Sequence, residues 1–218
     1  MPVFTATARR LGIVSAVGTV FLTAAYAVTL VAGLLALPSQ QQPIGDPIFA
    51  ILELLIILVM PLMVTLMVVI HAWADAETKV FSLTALVFTS LLTALTVTVH
   101  FVLLTVGRHA AFAGLAWMPL FLSFQWPSVT YVLDILAWDV FFALSVLFAA
   151  PVFSRNRLAT SIRTLMVASG VLALAGLSGV IVGDMRFRFI GIVGYAGVFP
   201  AAVLLMAILF YRSTPQET

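Results

Sequence analysis

Six apolar stretches follow one another along the chain. Each exceeds the about 20 residues that a helix needs to cross a bilayer. Short polar segments separate them, among them "ADAETK", "FSRNR" and "GDMRFR". The pattern predicts an all-α integral membrane helical bundle that forms a single transmembrane domain over residues 1–218. We place the six spans at about 12–37, 47–73, 80–106, 128–153, 162–183 and 190–211.

The segment between the third and fourth spans, "GRHAAFAGLAWMPLFLSFQWPS", is apolar but interrupted by Pro119 and Pro127. We expect residues 107–127 to lie at the interface or to re-enter the membrane, with Trp117 and Trp126 as belt residues. A further span over this segment is the less favoured alternative.

Composition narrows the class of protein. The chain is 63% hydrophobic and 8% charged, with a mean hydropathy of +1.22, so it has too little charge to cover a soluble domain. The absence of cysteine excludes disulfides, thiolate metal sites and a cysteine nucleophile. The net charge of +2 is small and scattered, which argues against nucleic-acid binding.

The distribution of lysine and arginine predicts the orientation. The apolar run after Arg9 and Arg10 is longer than the about 7–15 residues of a signal-peptide core, so we expect a retained first span. Seven basic residues then fall on one side and three on the other, which predicts cytoplasmic N- and C-termini. The larger group comprises Arg9, Arg10, Lys79, Arg155, Arg157, Arg163 and Arg212, and the smaller comprises Arg108, Arg186 and Arg188.

Ionisable residues interrupt three consecutive spans at related depths. Counting at about 1.5 Å per residue places Glu53, His100 and Asp134 roughly 9 Å below the outer end. Asp139 falls near the middle of the bilayer. Polar side chains inside a membrane usually face the interior of a bundle, so these four groups predict a polar site in its outer half.

Helical spacing supports a shared interior face. Side chains three or four positions apart lie on one stripe of a helix. Asp139 is five positions from Asp134, so on a regular α-helix their side chains point about 140° apart and cannot both face one narrow cavity unless the fourth span is central. The stripes are Thr19, Thr23 and Tyr26; Glu53, Met60, Met67 and His71; Ser82, Thr89, Thr93, Thr96 and His100; and Tyr131, Asp134, Trp138, Phe141 and Ser145.

Structural roles for the same residues stay open. Any one of the intramembrane carboxyl groups, or His100, could be a hydrogen-bonded packing residue. The default for Asp184 is an interfacial ion pair with Arg186 and Arg188. The glycine-rich fifth and sixth spans favour close helix packing.

Several chemistries are disfavoured, and the sequence predicts neither a cofactor nor a metal site. His71 and His100 lie near opposite faces, so they cannot clamp one haem. Lys79 lies in a loop, which argues against a retinal Schiff base. A zinc hydrolase motif such as H-E-x-x-H is absent. The methionines before His71 leave soft-metal transport as a minor alternative.

Protonatable carboxyl groups beside aromatic rings favour carbocation chemistry, since aromatic faces stabilise cations and an apolar cavity excludes water. We expect Glu53, Asp134, Asp139 and His100 to be catalytic, in a cell-membrane protein whose partners are membrane lipids and a lipophilic small-molecule substrate. The predicted substrate-binding residues are Trp138, Tyr131, Phe141, Tyr26, Met60, Trp126 and Tyr195.

The segments "ILELL", with Glu53, and "YVLDILAWD", with Asp134 and Asp139, carry a resemblance. In size, layout and intramembrane acids, the chain resembles the small bacterial membrane-bound terpene cyclases of drimentine-type indole sesquiterpenoid pathways. It is more distantly similar to the fungal meroterpenoid cyclases, which have an acid in the last span where this chain has only Tyr195. The resemblance implies metal-independent cyclisation of a farnesyl-type chain, epoxidised or linked to indole, started by acid protonation.

Three other functions remain open. A proton-coupled transporter or channel could use the same carboxyl groups as a relay, although the two halves of the chain show no matching acids. A non-catalytic subunit would turn its polar stripes outward toward partner helices. A lipid isomerase is a close variant of the cyclase.

Overall fold

In the part of the chain that the structure describes, six helices are long and apolar enough to cross a membrane. The computed structural model describes residues 4–37, 42, 44–112 and 114–214. The predicted all-α membrane bundle is confirmed, and the protein is multi-pass. Its helices are α1 (Ala6–Leu35), α2 (Ile48–Trp73), α3 (Ala76–Arg108), α4 (Val129–Val152), α5 (Arg157–Val182) and α6 (Met185–Arg212).

Several helices begin earlier than the apolar pattern predicted, because their first turns are capped by polar side chains. Thr5 accepts a hydrogen bond from the Ala8 N–H and starts α1, and Asn156 does the same for Ala159 at the start of α5. The last helix begins five residues earlier than expected, at Met185. This earlier start brings Arg188 into α6.

The six helices form a closed ring. Each helix packs on its neighbour in the sequence, and α1 returns to pack on α6. Apolar side chains fill the interior toward one end, where Met60, Phe142 and Met206 are fully buried. We call the end at which α2 finishes and α3 begins the Arg155 end, and the opposite end the Arg108 end. Which end faces the cytoplasm stays a prediction.

Small residues let α5 and α6 approach closely, as their glycine content predicted. A Cβ atom on Gly176 would lie 3.0 Å from the Gly191 Cα atom, and one on Gly194 would lie 2.7 Å from the Ser169 carbonyl oxygen. These backbones therefore touch at positions where larger residues do not fit.

The segment between α3 and α4 does not form a further span in the part that the structure describes, residues 107–112 and 114–127. Its longest helical piece is the single turn Met118–Phe121. Trp117 and Trp126 are 42% and 39% exposed, which suits belt residues at an interface.

Two of the spans contain wider π-helical turns, Leu136–Phe141 in α4 and Val193–Val198 in α6. In the first, the Phe142 N–H donates to the Ala137 carbonyl five residues back, and in the second Phe199 donates to Gly194. Such turns change which residues share a face, and they are frequent at functional sites.

Candidate functional site: a buried ionic network beside a membrane cavity

The site starts with a contact between α2 and α3. The His100 Nδ1 atom lies 2.8 Å from Oε2 of Glu53, and the two residues are 3% and 4% exposed. The Phe124 ring stacks on the imidazole with centroids 5.3 Å apart. Glu53 and His100 therefore lie at the same level of the bundle.

Asp134 lies on the other side of His100 and joins α4 to the same group. Its Oδ1 atom is 3.6 Å from His100 Nε2, and its Oδ2 atom accepts a hydrogen bond of 2.5 Å from the Arg188 guanidinium. Arg188 also stacks on Tyr131, with the guanidinium carbon 4.6 Å from the ring centroid. Asp134 therefore lies between the imidazole of His100 and the guanidinium of Arg188.

Asp139 belongs to this network as well, which corrects the prediction that the two aspartates point apart. Arg188 Nε donates to Asp139 Oδ2 at 3.2 Å while its terminal nitrogen binds Asp134. The prediction assumed a regular α-helix. The π-helical turn from Leu136 to Phe141 brings positions five apart onto nearly the same face, so one guanidinium reaches both carboxylates.

Arg188 is the functional residue that sequence analysis missed. It was assigned to an ion pair with Asp184, but the structure buries it to 6% exposure inside the bundle. Asp184, which lies between α5 and α6, forms its ion pair with Arg186 at 2.7 Å and not with Arg188. Hydrogen bonds from the Arg186 side chain and backbone lower the pKa of the Asp184 carboxyl. An arginine followed by an apolar helix, with two unmatched aspartates elsewhere, was the available signal.

A cavity of about 670 Å³ opens beside the network, a size in the usual range for small-molecule sites. Glu53 and His100 lie among its lining residues, and apolar side chains form most of its wall. Arg108, which forms an ion pair with Asp46, lies among the lining residues at the Arg108 end. The apolar wall includes Leu30, Leu34, Phe49, Leu52, Leu103, Met118, Leu122 and Phe124.

Of the seven predicted substrate-binding residues, Tyr26 lines this cavity. Trp138 and Tyr195 instead pack together behind the network, with ring centroids 5.1 Å apart. The remaining predicted residues lie elsewhere: Met60 is fully buried in the core, Phe141 packs on Phe88, Tyr131 lies under Arg188, and Trp126 packs on Tyr131. Aromatic spacing along a helix therefore did not identify the cavity wall.

The polar stripe of α3 faces the interior of this chain. Ser82, Thr89, Thr96 and His100 are all buried, and Thr89 bonds Ser145 of α4 at 2.5 Å. His71 bonds Ser82 through Nδ1 at 2.8 Å. A non-catalytic subunit would need outward-facing polar stripes to bind partner helices. The polar stripe of α3 faces inward instead.

Among the residues that the structure describes, no three His, Asp or Glu side chains are grouped in a way that could hold a metal ion. The ionisable groups of the site bind one another instead. Comparison of the chain with known protein families, with curated proteins and with solved structures finds no match.

Proposed function

We propose that the protein is a membrane enzyme that starts a metal-independent isomerisation or cyclisation of an isoprenoid lipid with a proton from the Glu53–His100 pair. The observation that carries the proposal is the position of this hydrogen-bonded pair on the wall of an apolar cavity of about 670 Å³. An isoprenoid partitions into the bilayer, and an apolar cavity accepts its chain. The cell membrane is the location that the proposal implies.

The charge balance of the network supports an available proton. It contains three carboxyl groups, Glu53, Asp134 and Asp139, and two cationic side chains, His100 and Arg188. An unbalanced charge in a buried site is costly, so neutrality requires at least one of the three carboxyl groups to be protonated, whether or not the imidazole is also charged. Asp134 lies between both cations and keeps its charge. Of the other two, Glu53 is the carboxyl group that lines the cavity.

The proposed reaction consumes no cofactor. The Glu53 carboxyl O–H bond breaks, its proton adds to one carbon of an alkene or to an epoxide oxygen, and a carbocation forms. A second double bond attacks that carbocation and closes the ring. The Glu53 carboxylate then removes a proton from a neighbouring carbon and restores an alkene, so the product is an isomer of the substrate. The imidazolium of His100 stabilises the Glu53 anion between these steps.

The test uses the purified full chain in lipid nanodiscs with a metal chelator and a panel of farnesyl-type alkenes, their epoxides and isoprenyl-indoles. Product is followed by mass spectrometry in ordinary and in heavy water. From an alkene we expect an isomeric product with one solvent deuterium on carbon, and from an epoxide an isomeric product whose added deuterium is on an exchangeable hydroxyl group. Both products should be lost in Glu53→Gln. The control is Glu77→Gln, because Glu77 is an exposed glutamate at the Arg155 end.

Unchanged substrate across the panel, or equal turnover by Glu53→Gln and the wild type, would overturn the proposal. In that case a proton flux across proteoliposomes that depends on Glu53 would assign the network to transport instead.

A further inference from the structure

A second pocket, of about 580 Å³, lies at the Arg155 end of the bundle, opposite the cavity that Glu53 lines. It forms where α2 ends, α3 begins, α4 connects to α5, and α6 ends. Nothing in the Glu53–His100 network contributes to it, so its role is independent of the proposed reaction. The residues on which its chemistry depends are Lys79, Arg155, Arg212, Asp75, Phe4 and Leu209.

The pocket is positively charged. Three cationic side chains line it, and Asp75 is the one carboxylate among its described lining residues. Arg155 Nε donates to Asp75 Oδ2 at 2.9 Å, which neutralises this carboxylate. Lys79 and Arg212 carry the remaining positive charge among the described lining residues.

Arg155 is held in position before any ligand arrives. Its guanidinium lies 4.5 Å from the centroid of the Trp73 ring while it binds Asp75. A guanidinium has five N–H donors, and its contacts with one carboxylate leave others unused. Lys79 donates to the His71 carbonyl and keeps two further N–H donors. Preorganised donors of this kind suit the oxygen atoms of a phosphate.

Apolar side chains share the rest of the wall with the polar residues Asn156, Ser213 and Thr214. Phe4, Trp73, Leu158 and Leu209 line the same pocket as the cations. A free phosphate would leave these surfaces unused, whereas a phospholipid would place its phosphate on the cations and its glycerol and acyl groups on the apolar wall. Basic pockets between membrane helices bind anionic headgroups in this way.

We propose that the pocket at the Arg155 end binds the phosphate of an anionic ligand, and that the source of this phosphate is the headgroup of a net-negative phospholipid. Lys79, Arg155 and Arg212 bind the phosphate oxygens. Phe4 and Leu209 pack against the part of the lipid next to the headgroup.

Native mass spectrometry of the full chain in detergent tests the proposal with three probes: dioleoylphosphatidylglycerol, dioleoylphosphatidylcholine and potassium phosphate. We expect one retained phosphatidylglycerol per chain and little retained phosphatidylcholine. Arg212→Gln should weaken phosphatidylglycerol binding about tenfold, the size of effect expected for one lost charge-assisted contact. Arg155→Gln should weaken it at least as much.

Arg163→Gln is the matched control, because Arg163 is exposed on α5 near the same end and does not line the pocket. Arg212 makes no side-chain hydrogen bond with any residue that the structure describes, so Arg212→Gln keeps the test valid if Arg155→Gln does not fold. If potassium phosphate competes at the same residues and the lipid is not preferred, the pocket binds phosphate, but a lipid headgroup is not its source. Equal binding by the wild type and all three variants, or equal retention of both lipids, would overturn the proposal.

Discussion

His100 Nδ1 lies 2.8 Å from Glu53 Oε2, and this contact joins two helices whose residues are 47 positions apart in the sequence. Both side chains are buried, and both line the apolar cavity. A proton can therefore move between an imidazole and a carboxyl group without movement of the backbone.

The first prediction concerns Arg188. Arg188→Leu removes the cation that binds Asp134 and Asp139 and leaves two buried carboxylates without it. Breaking a buried ion pair in this way costs about 3–5 kcal/mol of unfolding free energy. Denaturant titration of the detergent-solubilised protein, followed by circular dichroism, measures the loss.

Arg186→Gln is the control for Arg188→Leu. Arg186 lies two positions earlier and its side chain is 88% exposed, so its loss should lower the unfolding midpoint far less than the loss of Arg188. Equal midpoints for the two variants would mean that the buried network does not stabilise the bundle.

The second prediction concerns Gly191. A Cβ atom on Gly191 would overlap Asp139 Oδ1, since it would approach closer than any ordinary van der Waals contact. Gly191→Ala should therefore displace the Asp139 carboxylate from Arg188 and lower the unfolding free energy by about 1–3 kcal/mol, as overpacked substitutions do. Gly197→Ala is the matched control in the same helix, because a Cβ there meets nothing within 4 Å. A thermal melt that ranks both variants equally would contradict this account of the packing.

The third prediction concerns the cavity wall. Leu30 lines the cavity, whereas Val28, two positions earlier on α1, is 70% exposed on the outer surface. Leu30→Trp should fill part of the cavity and lower kcat/KM for the isoprenoid identified by the panel by at least about tenfold. Val28→Trp should leave kcat/KM unchanged. If Val28→Trp were as damaging as Leu30→Trp, the substrate would bind elsewhere.

The fourth prediction concerns Asp184. Hydrogen bonds from Arg186 favour its charged form, so its pKa lies below the usual value of an aspartate. A depressed pKa stabilises the folded state above the pKa of the unfolded chain, and this contribution disappears as the pH falls through the folded pKa. The carboxyl carbon chemical shift of Asp184, followed by NMR during an acid titration, measures the midpoint. Arg186→Gln should move it upward, and an unmoved midpoint would rule out Arg186 as the cause.

The sequence predicted the number of spans and the depth of the site because both depend on distances along helices. Six apolar runs and a fixed rise per residue were sufficient to match Glu53 with His100 and Asp134. The ring arrangement of the helices and the volume of the cavity depend instead on packing between helices. The apolar periodicity of a single sequence does not show that packing.

The errors have two local causes. Asp139 was assigned to another face because apolar periodicity does not show a π-helical turn, although that turn decides where Asp139 points. Arg188 was assigned to the interface because the apolar run begins after it, yet its helix begins at Met185. An interior arginine could have been inferred only by asking which cation neutralises the two aspartates.

The position of Arg188 in the last helix has a consequence for biosynthesis. It follows Asp139 by 49 residues, so α4 is translated before its counter-charge. A carboxylate at the centre of a single inserted helix costs about 2.5–3.5 kcal/mol on insertion scales. The apolar residues of α4 must therefore hold the nascent helix in the bilayer until α6 is inserted. A chain that stops before Arg188 keeps Asp139 inside the membrane without its counter-charge.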